Sequence, residues 1–193
     1  MSLNQKNKIT TKARVAFLLS SAERALTVLE GKTSKAYPDN PNEAQEIFDW
    51  FSNAINDGWG WLANLEMTGK KYYEKYFVVQ PPVYIGYYEY SNQPKEERAF
   101  NGIRDALYYL CYHMLDYEMS QTGKDTFVYS DIAEVDEDIL LECLESIRKS
   151  SDDEQAELAW QEKVINQLLQ DHYTEEFDTL GELIDREYFE QFS

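Results

Sequence analysis

The stretch FNGIRDALYYLCYHM, residues 100–114, carries the strongest structural signal in the chain. Its apolar residues repeat at spacings of three and four: Phe100, Ile103, Leu107, Leu110 and Met114. This repeat places them on one face of an α-helix, the pattern of a helix-bundle seam. The pattern covers about residues 94–121, and Gly123 follows where a helix would end. The sequence therefore predicts a long central helix.

Helical periodicity continues on both sides of this stretch. It predicts helices at about residues 11–30, from Pro41 past Ile55, in two short pieces on either side of Pro81-Pro82, at 136–149, at 152–172, and from Thr174 to Tyr188. Ser151 with Glu154 forms a capping-box pattern at the start of the 152–172 helix. We therefore expect an all-α fold: a compact single-domain bundle of six to eight helices over residues 1–193, with residues 1–9 disordered or derived from an expression tag.

The composition bounds the class of protein. Apolar residues make up 43% of the 193-residue chain, which indicates a folded core. Cys111 and Cys143 lie among apolar residues in helical patterns, so we expect buried thiols. The amino terminus lacks the apolar region of a secretory signal, and no apolar run approaches the ~20 residues that span a bilayer. These features predict a soluble cytoplasmic protein.

The negative charge is concentrated in the last third of the chain. The formal net charge is -18, of which residues 1–128 contribute -2 and residues 129–193 contribute -16. A lobe of this charge repels nucleic acid and anionic lipid, and it attracts basic surfaces. We therefore expect no nucleic-acid or membrane partner.

Part of this acidity follows from local helix stability. Asp136, Glu137 and Asp138 begin one predicted helix, and Asp153 begins another. Carboxylates in a first turn meet the positive end of the helix dipole, which stabilises a helix by ~0.3–1 kcal/mol each. These residues alone would require no partner.

Helix stability does not explain the remaining acids. Asp138, Glu142 and Glu145 lie along one helix face, opposite the apolar stripe. Asp153 and Glu157 repeat the like-charge spacing, which costs ~0.2–0.5 kcal/mol per pair. Two interpretations stay open: a solvated face that keeps the protein soluble, or a face that binds a basic partner.

Aromatic residues offer a second kind of contact. Tyr84, Tyr87 and Tyr88 have helical spacing within a tyrosine-rich segment, and tyrosine suits recognition surfaces because it gives a large amphipathic area at low entropy cost. The same spacing also fits core packing, so both roles stay open. The four tryptophans are expected to anchor the core: Trp50, Trp59, Trp61 and Trp160.

Patterns of catalysis are scarce in the sequence. His113 has no Glu-x-x-His spacing that would place it in a di-iron site, and its neighbours on the seam favour a structural, hydrogen-bonded histidine. The sequence contains neither a glycine-rich phosphate loop nor a nucleophile elbow. We therefore expect a protein that is not an enzyme and that uses neither a metal nor a cofactor.

Three segments resemble a known family. TKARVAFLLSSAERALTVLE at residues 11–30, IRDALYY at 103–109 and DIAEVDE at 131–137 are similar, in order and approximate spacing, to segments of a family of bacterial immunity proteins from polymorphic toxin systems, the family numbered six. The resemblance covers about residues 10–170. It implies an all-α cytoplasmic protein that binds and silences a co-encoded toxin.

The charge suggests how such binding would work. An acidic lobe suits a toxin with a basic active-site cleft, such as a nuclease, whose substrate phosphates the carboxylates would replace. The candidate toxin-binding residues are Asp136, Glu137, Asp138, Glu142, Glu145, Asp153, Glu157, Tyr84, Tyr87 and Tyr88. The alternative is an acidic helical adaptor or regulator that binds another host protein, with the acidity serving solubility.

Overall fold

A computed structural model describes residues 8–32, 41–78, 94–123, 137–176 and 179–192. Within these ranges the chain forms seven α-helices: α1 (Thr11–Leu29), α2 (Pro41–Asn64), α3 (Gly69–Tyr73), α4 (Pro94–Thr122), α5 (Glu137–Ser150), α6 (Glu154–Asp171) and α7 (Glu187–Glu190). A π-helical turn, Glu74–Val78, continues α3. The described parts of the chain contain no β-strand beyond one isolated bridge, between Ile9 and Tyr173. The predicted all-α bundle with a long central helix is confirmed.

The central helix α4 packs most extensively against α5 and α1. Gly102 permits the close approach of α5, because a Cβ atom at this position would lie 2.6 Å from Cγ1 of Ile147. At the same crossing the thiol of Cys143 donates a hydrogen bond to the carbonyl oxygen of Gly102, at 3.1 Å. The absence of a side chain at one residue therefore sets the distance between the two helices.

The apolar core is built around α1. This helix is buried around most of its circumference, which is typical of a helix surrounded by others. Trp59, Trp61 and Trp160 are buried and Trp50 is half-buried, so the prediction that tryptophans anchor the core is confirmed for the first three. Both cysteines are buried thiols, as the sequence predicts.

The amino-terminal end of α1 is closed by the carboxyl-terminal part of the chain. The first N–H groups of a helix have no partner within the helix. Here the backbone N–H of Thr11 donates to the carbonyl oxygen of Thr179, and that of Lys12 donates to the carbonyl oxygen of Leu180, both at 2.9 Å. We call residues 179–192 the C-terminal strap.

The strap corrects a prediction. The sequence predicts a helix from Thr174 to Tyr188, but the described residues 179–185 are not helical and only the short α7 follows. Gly181 has a φ of 79°, which is outside the helical region, and it lies directly against Thr10. The carbonyl oxygens of Thr179 and Leu180 accept hydrogen bonds from the start of α1 and not from a helix of their own. The contact with α1 therefore overrides the helical periodicity of this segment.

A second correction concerns the amino terminus. The N–H of Thr10 donates to the carbonyl oxygen of His172 at 3.0 Å, and the N–H of Thr174 donates to that of Lys8 at 2.8 Å. Ile9 is buried between these bonds. The expectation of disorder through residue 9 is therefore wrong for Lys8 and Ile9, and residues 1–7 lie outside the described residues.

His113 is a buried residue of α4, in ring contact with Tyr109 and Tyr112. Burial and the nearby charge of Arg14 lower the pKa of His113 to about 3, so the imidazole is neutral at neutral pH. Over the ranges that the structure describes, His, Cys, Asp and Glu side chains nowhere gather in a group of three or more that could hold a metal ion. Within the same ranges every helix is too short or too polar to cross a membrane.

Candidate partner-binding surface

The exposed side of α5 carries acidic residues. Glu142 and Glu145 are exposed there, and the opposite side is buried through Leu140, Cys143, Leu144 and Ile147. Glu145 forms an i,i+4 ion pair with Lys149, and this hydrogen-bonded neighbour lowers the pKa of the Glu145 carboxyl. The structure therefore places these two carboxylates on an open helix face, where the sequence predicts them.

Several candidate residues have no described side chain. Glu137 and Asp138 occupy the first turn of α5, for which the backbone is described. Asp136, Tyr84, Tyr87 and Tyr88 lie outside the described residues. Their part in binding stays a prediction. We call the described pair Glu142 and Glu145 the acidic face of α5.

Helix α6 begins with a different N-cap from the one that the sequence predicts. The carboxylate of Asp153 accepts hydrogen bonds from the backbone N–H groups of Gln155 and Ala156, at 3.1 and 2.9 Å. Asp153 is thus the N-cap of α6, and the capping box predicted from Ser151 and Glu154 is wrong. Because this carboxylate already holds the helix start, Asp153 is a structural residue as well as an exposed one.

Glu157 is one of the candidate contact residues, but the structure buries it. Its like-charge spacing from Asp153 predicts a contact with a partner, yet Glu157 is only 3% exposed. It shares its helix face with the buried Trp160 and Val164, three and seven residues further along. The preceding residue, Ala156, is exposed. The spacing from Trp160 was the signal that could have placed Glu157 on the inner face of α6.

The buried carboxylate of Glu157 is matched by Arg24 of α1. The Nε and Nη2 groups of Arg24 donate to Oε2 of Glu157 at 2.9 and 2.8 Å, and Gln161 donates to Oε1 at 3.2 Å. The guanidinium of Arg24 also lies over the ring of Trp160, 4.3 Å from its centre. We call these three residues, Arg24, Glu157 and Trp160, the Arg24 clamp.

A second arginine is held in the same way on the strap. Arg186 forms an ion pair with Glu23 at 2.9 Å and lies over the ring of Trp59, 5.5 Å from its centre. The indole N–H of Trp59 donates to the same Glu23 carboxylate at 3.1 Å. Burial raises the pKa of Glu23, and the charge of Arg186 opposes this shift.

The sequence patterns do not predict the partners of Arg24 and Arg186, neither the tryptophan rings nor the hydrogen-bonded side chains. Arg24 and Glu157 are 133 positions apart, and Arg186 and Asn56, which are hydrogen-bonded, are 130 apart. No periodic pattern joins residues at such distances. The contacts follow from the way the strap and α6 pack against α1 and α2.

Comparison with known proteins gives no match, neither to a protein-family model nor to a curated protein nor to a solved structure. The resemblance to immunity proteins rests on the three quoted segments of sequence. The described residues thus show two exposed carboxylates on α5 and, on other helices and the strap, two arginines that lie over tryptophan rings.

Proposed function

We propose that this protein is an immunity protein that binds a co-encoded bacterial toxin and blocks its active site. The observation that carries the proposal is the acidic face of α5. Its two carboxylates are exposed on the side of α5 that is opposite the buried apolar residues. Like charges on one helix face cost stability, so a second use for them is expected.

The charge distribution supports a toxin with a basic surface, such as a nuclease. Residues 129–193 contribute -16 of the net charge of -18. The screening length at physiological salt is ~8 Å, so a concentrated lobe still acts on a partner during close approach. Carboxylates placed in a basic cleft would take the position of substrate phosphates and exclude the substrate. The complex with such a toxin would have to form in the cytoplasm.

An acidic adaptor that binds another host protein is the second candidate. It is favoured by the number of acids that pair within the chain. Glu145 pairs with Lys149, Glu154 with Arg148 and Asp152 with Lys95. Acids paired in this way have less charge to offer a partner.

The test is co-expression with the product of the adjacent gene, scored by growth and by the association rate of the purified proteins. In Glu142→Lys/Glu145→Lys the association rate should fall about tenfold at low salt, because steering is lost. The matched control is Glu46→Lys/Glu66→Lys, which makes the same charge change at two exposed residues of the amino-terminal half.

Rescue of growth by the wild-type protein supports the toxin partner. If the wild-type protein neither rescues growth nor binds the adjacent gene product, the immunity function is refuted. If the two double variants lower the association rate equally, the acidic face of α5 is not the contact, whatever the partner.

A further inference from the structure

Two cavities adjoin along α1. The larger, of about 330 Å³, is lined by α1 and by the junction between α5 and α6. The smaller, of about 260 Å³, is lined by α1, by Trp160 and by the strap. Arg24 and Thr27 line both. The two cavities therefore lie side by side along α1, and we call them together the α1 groove.

The larger cavity has the lining that a long basic side chain requires. Val28 and Ile147 contribute apolar walls, and the carboxylates of Asp152 and Glu157 also line it. Lysine and arginine lay their aliphatic stems on apolar surface and keep the charged head in a polar environment. The volume of about 330 Å³ is at the lower end of the ~300–1,000 Å³ range of ligand pockets, and it is sufficient for one long side chain.

The charge of the groove has the matching sign. Four carboxylates line the two cavities, against two guanidinium groups: Glu23, Asp152, Glu157 and Glu190 against Arg24 and Arg186. Both arginines already have carboxylate partners within the chain. The side chain of Asp152 is fully exposed, and its partner Lys95 is itself half exposed. An exposed ion pair of this kind contributes about 0–1 kcal/mol, so a partner's cation can replace Lys95 at little cost.

Arg24 and Thr27 separate the two cavities, and contacts within the chain hold Arg24 in place before a partner binds. Arg24 is held on one side by Glu157 and on the other by the Trp160 ring, and the Thr27 hydroxyl donates to the carbonyl oxygen of Arg24 at 2.8 Å. A surface that is ordered before binding loses less entropy when the partner arrives. Anchor side chains that enter such pockets carry most of the binding energy of an interface.

We propose that the α1 groove receives a basic segment of the protein partner, with one lysine or arginine side chain in the larger cavity beside Asp152. This inference rests on the proposed function and adds a second contact to it. The acidic face of α5 speeds the approach of the partner, and the α1 groove determines how long the complex lasts.

The test uses the substitution Thr27→Trp. Thr27 is exposed and lines both cavities, so an indole there occupies the mouth of the groove. The control, Asn53→Trp, places the same indole at an exposed position of α2. The full-length chain is titrated with the purified product of the adjacent gene. We expect Thr27→Trp to raise the dissociation constant about thirtyfold, through faster dissociation, and Asn53→Trp to change it less than about threefold.

A second variant keeps the proposal testable if Thr27→Trp folds poorly. Asp152→Lys changes a fully exposed side chain, so the fold should tolerate it, and it should raise the dissociation constant about tenfold. If the wild-type chain binds and both groove variants bind as tightly as Asn53→Trp, the groove is refuted and the proposed function stands. If the wild-type chain neither binds nor rescues growth, both are refuted.

Discussion

The Arg24 clamp offers the sharpest test of how the bundle is held together. Arg24→Met removes the guanidinium and keeps an unbranched apolar stem. The carboxylate of Glu157 then stays buried with Gln161 as its remaining described hydrogen-bond donor. A carboxylate buried without a counter-charge is a strongly destabilising change, since its solvation by water is not replaced.

The magnitude follows from the exposure of the two partners. Removing one partner of a fully buried ion pair costs about 3–5 kcal/mol. The side chain of Arg24 is 38% exposed, whereas that of Glu157 is 4% exposed, so water screens part of this interaction. We reduce the electrostatic cost to about 2 kcal/mol, and the lost contact with the Trp160 ring adds about 1 kcal/mol. The expected fall in the free energy of unfolding is about 3 kcal/mol.

Urea unfolding of a double-mutant cycle separates these two contributions. In a Glu157→Gln background the buried charge is gone, so Arg24→Met should cost only about 1 kcal/mol there. The difference of about 2 kcal/mol is the coupling between the two residues. With a slope of roughly 2 kcal/mol per molar urea, the single variant Arg24→Met should unfold at a midpoint about 1.5 M lower than the wild type.

Equal costs in the two backgrounds would contradict the clamp. Residues that do not interact give additive effects within about 0.5 kcal/mol. If Arg24→Met costs the same with and without the Glu157 carboxylate, the pair does not stabilise the fold. The ordered position of Arg24 in the α1 groove would then lose its physical basis.

Three further predictions concern stability. Burial lowers the pKa of His113 to about 3, so below pH 6.5 the unfolded chain binds a proton that the folded chain does not. The free energy of unfolding should therefore decrease as the pH is lowered, by about 2 kcal/mol between pH 7.5 and 5. Denaturant titrations at the two pH values should show this difference in the wild type, and His113→Gln should remove it. Gly60→Ala should raise the free energy of unfolding by up to about 1 kcal/mol, because Gly60 lies inside α2 with open space around its Cα. Gly181→Ala should lower it by about 1–3 kcal/mol, because the strap requires a positive φ and direct contact with Thr10; effects of the same sign at both glycines would contradict this account.

The helices of the bundle could be predicted because their signals are local. The apolar repeat around Ile103 and Leu107 gives a helix at about residues 94–121, and α4 covers Pro94–Thr122. The helix predicted at 136–149 is α5, Glu137–Ser150. Each pattern depends only on residues within a few turns of one another, so neighbouring residues are sufficient to specify it.

The candidate surface could be predicted only in part. Exposure of Glu142 and Glu145 follows from their position opposite the apolar residues of the same helix. Burial of Glu157 depends on the rotation of α6 against α1 and on an arginine 133 positions away. No local pattern contains that information, so the acidic spacing by itself assigned Glu157 to the wrong side.

The helical class, the central helix and the concentration of negative charge in the last third of the chain all follow from the amino-acid sequence alone. The non-helical conformation of residues 179–185 and the positions of Arg24 and Arg186 over tryptophan rings depend on the tertiary structure. The physical reason is the range of the interactions. Helix periodicity is set by bonds between residues four positions apart. The N–H groups at the start of α1 and the buried carboxylate of Glu157 are satisfied by groups that are distant in the chain and meet only when the bundle has folded.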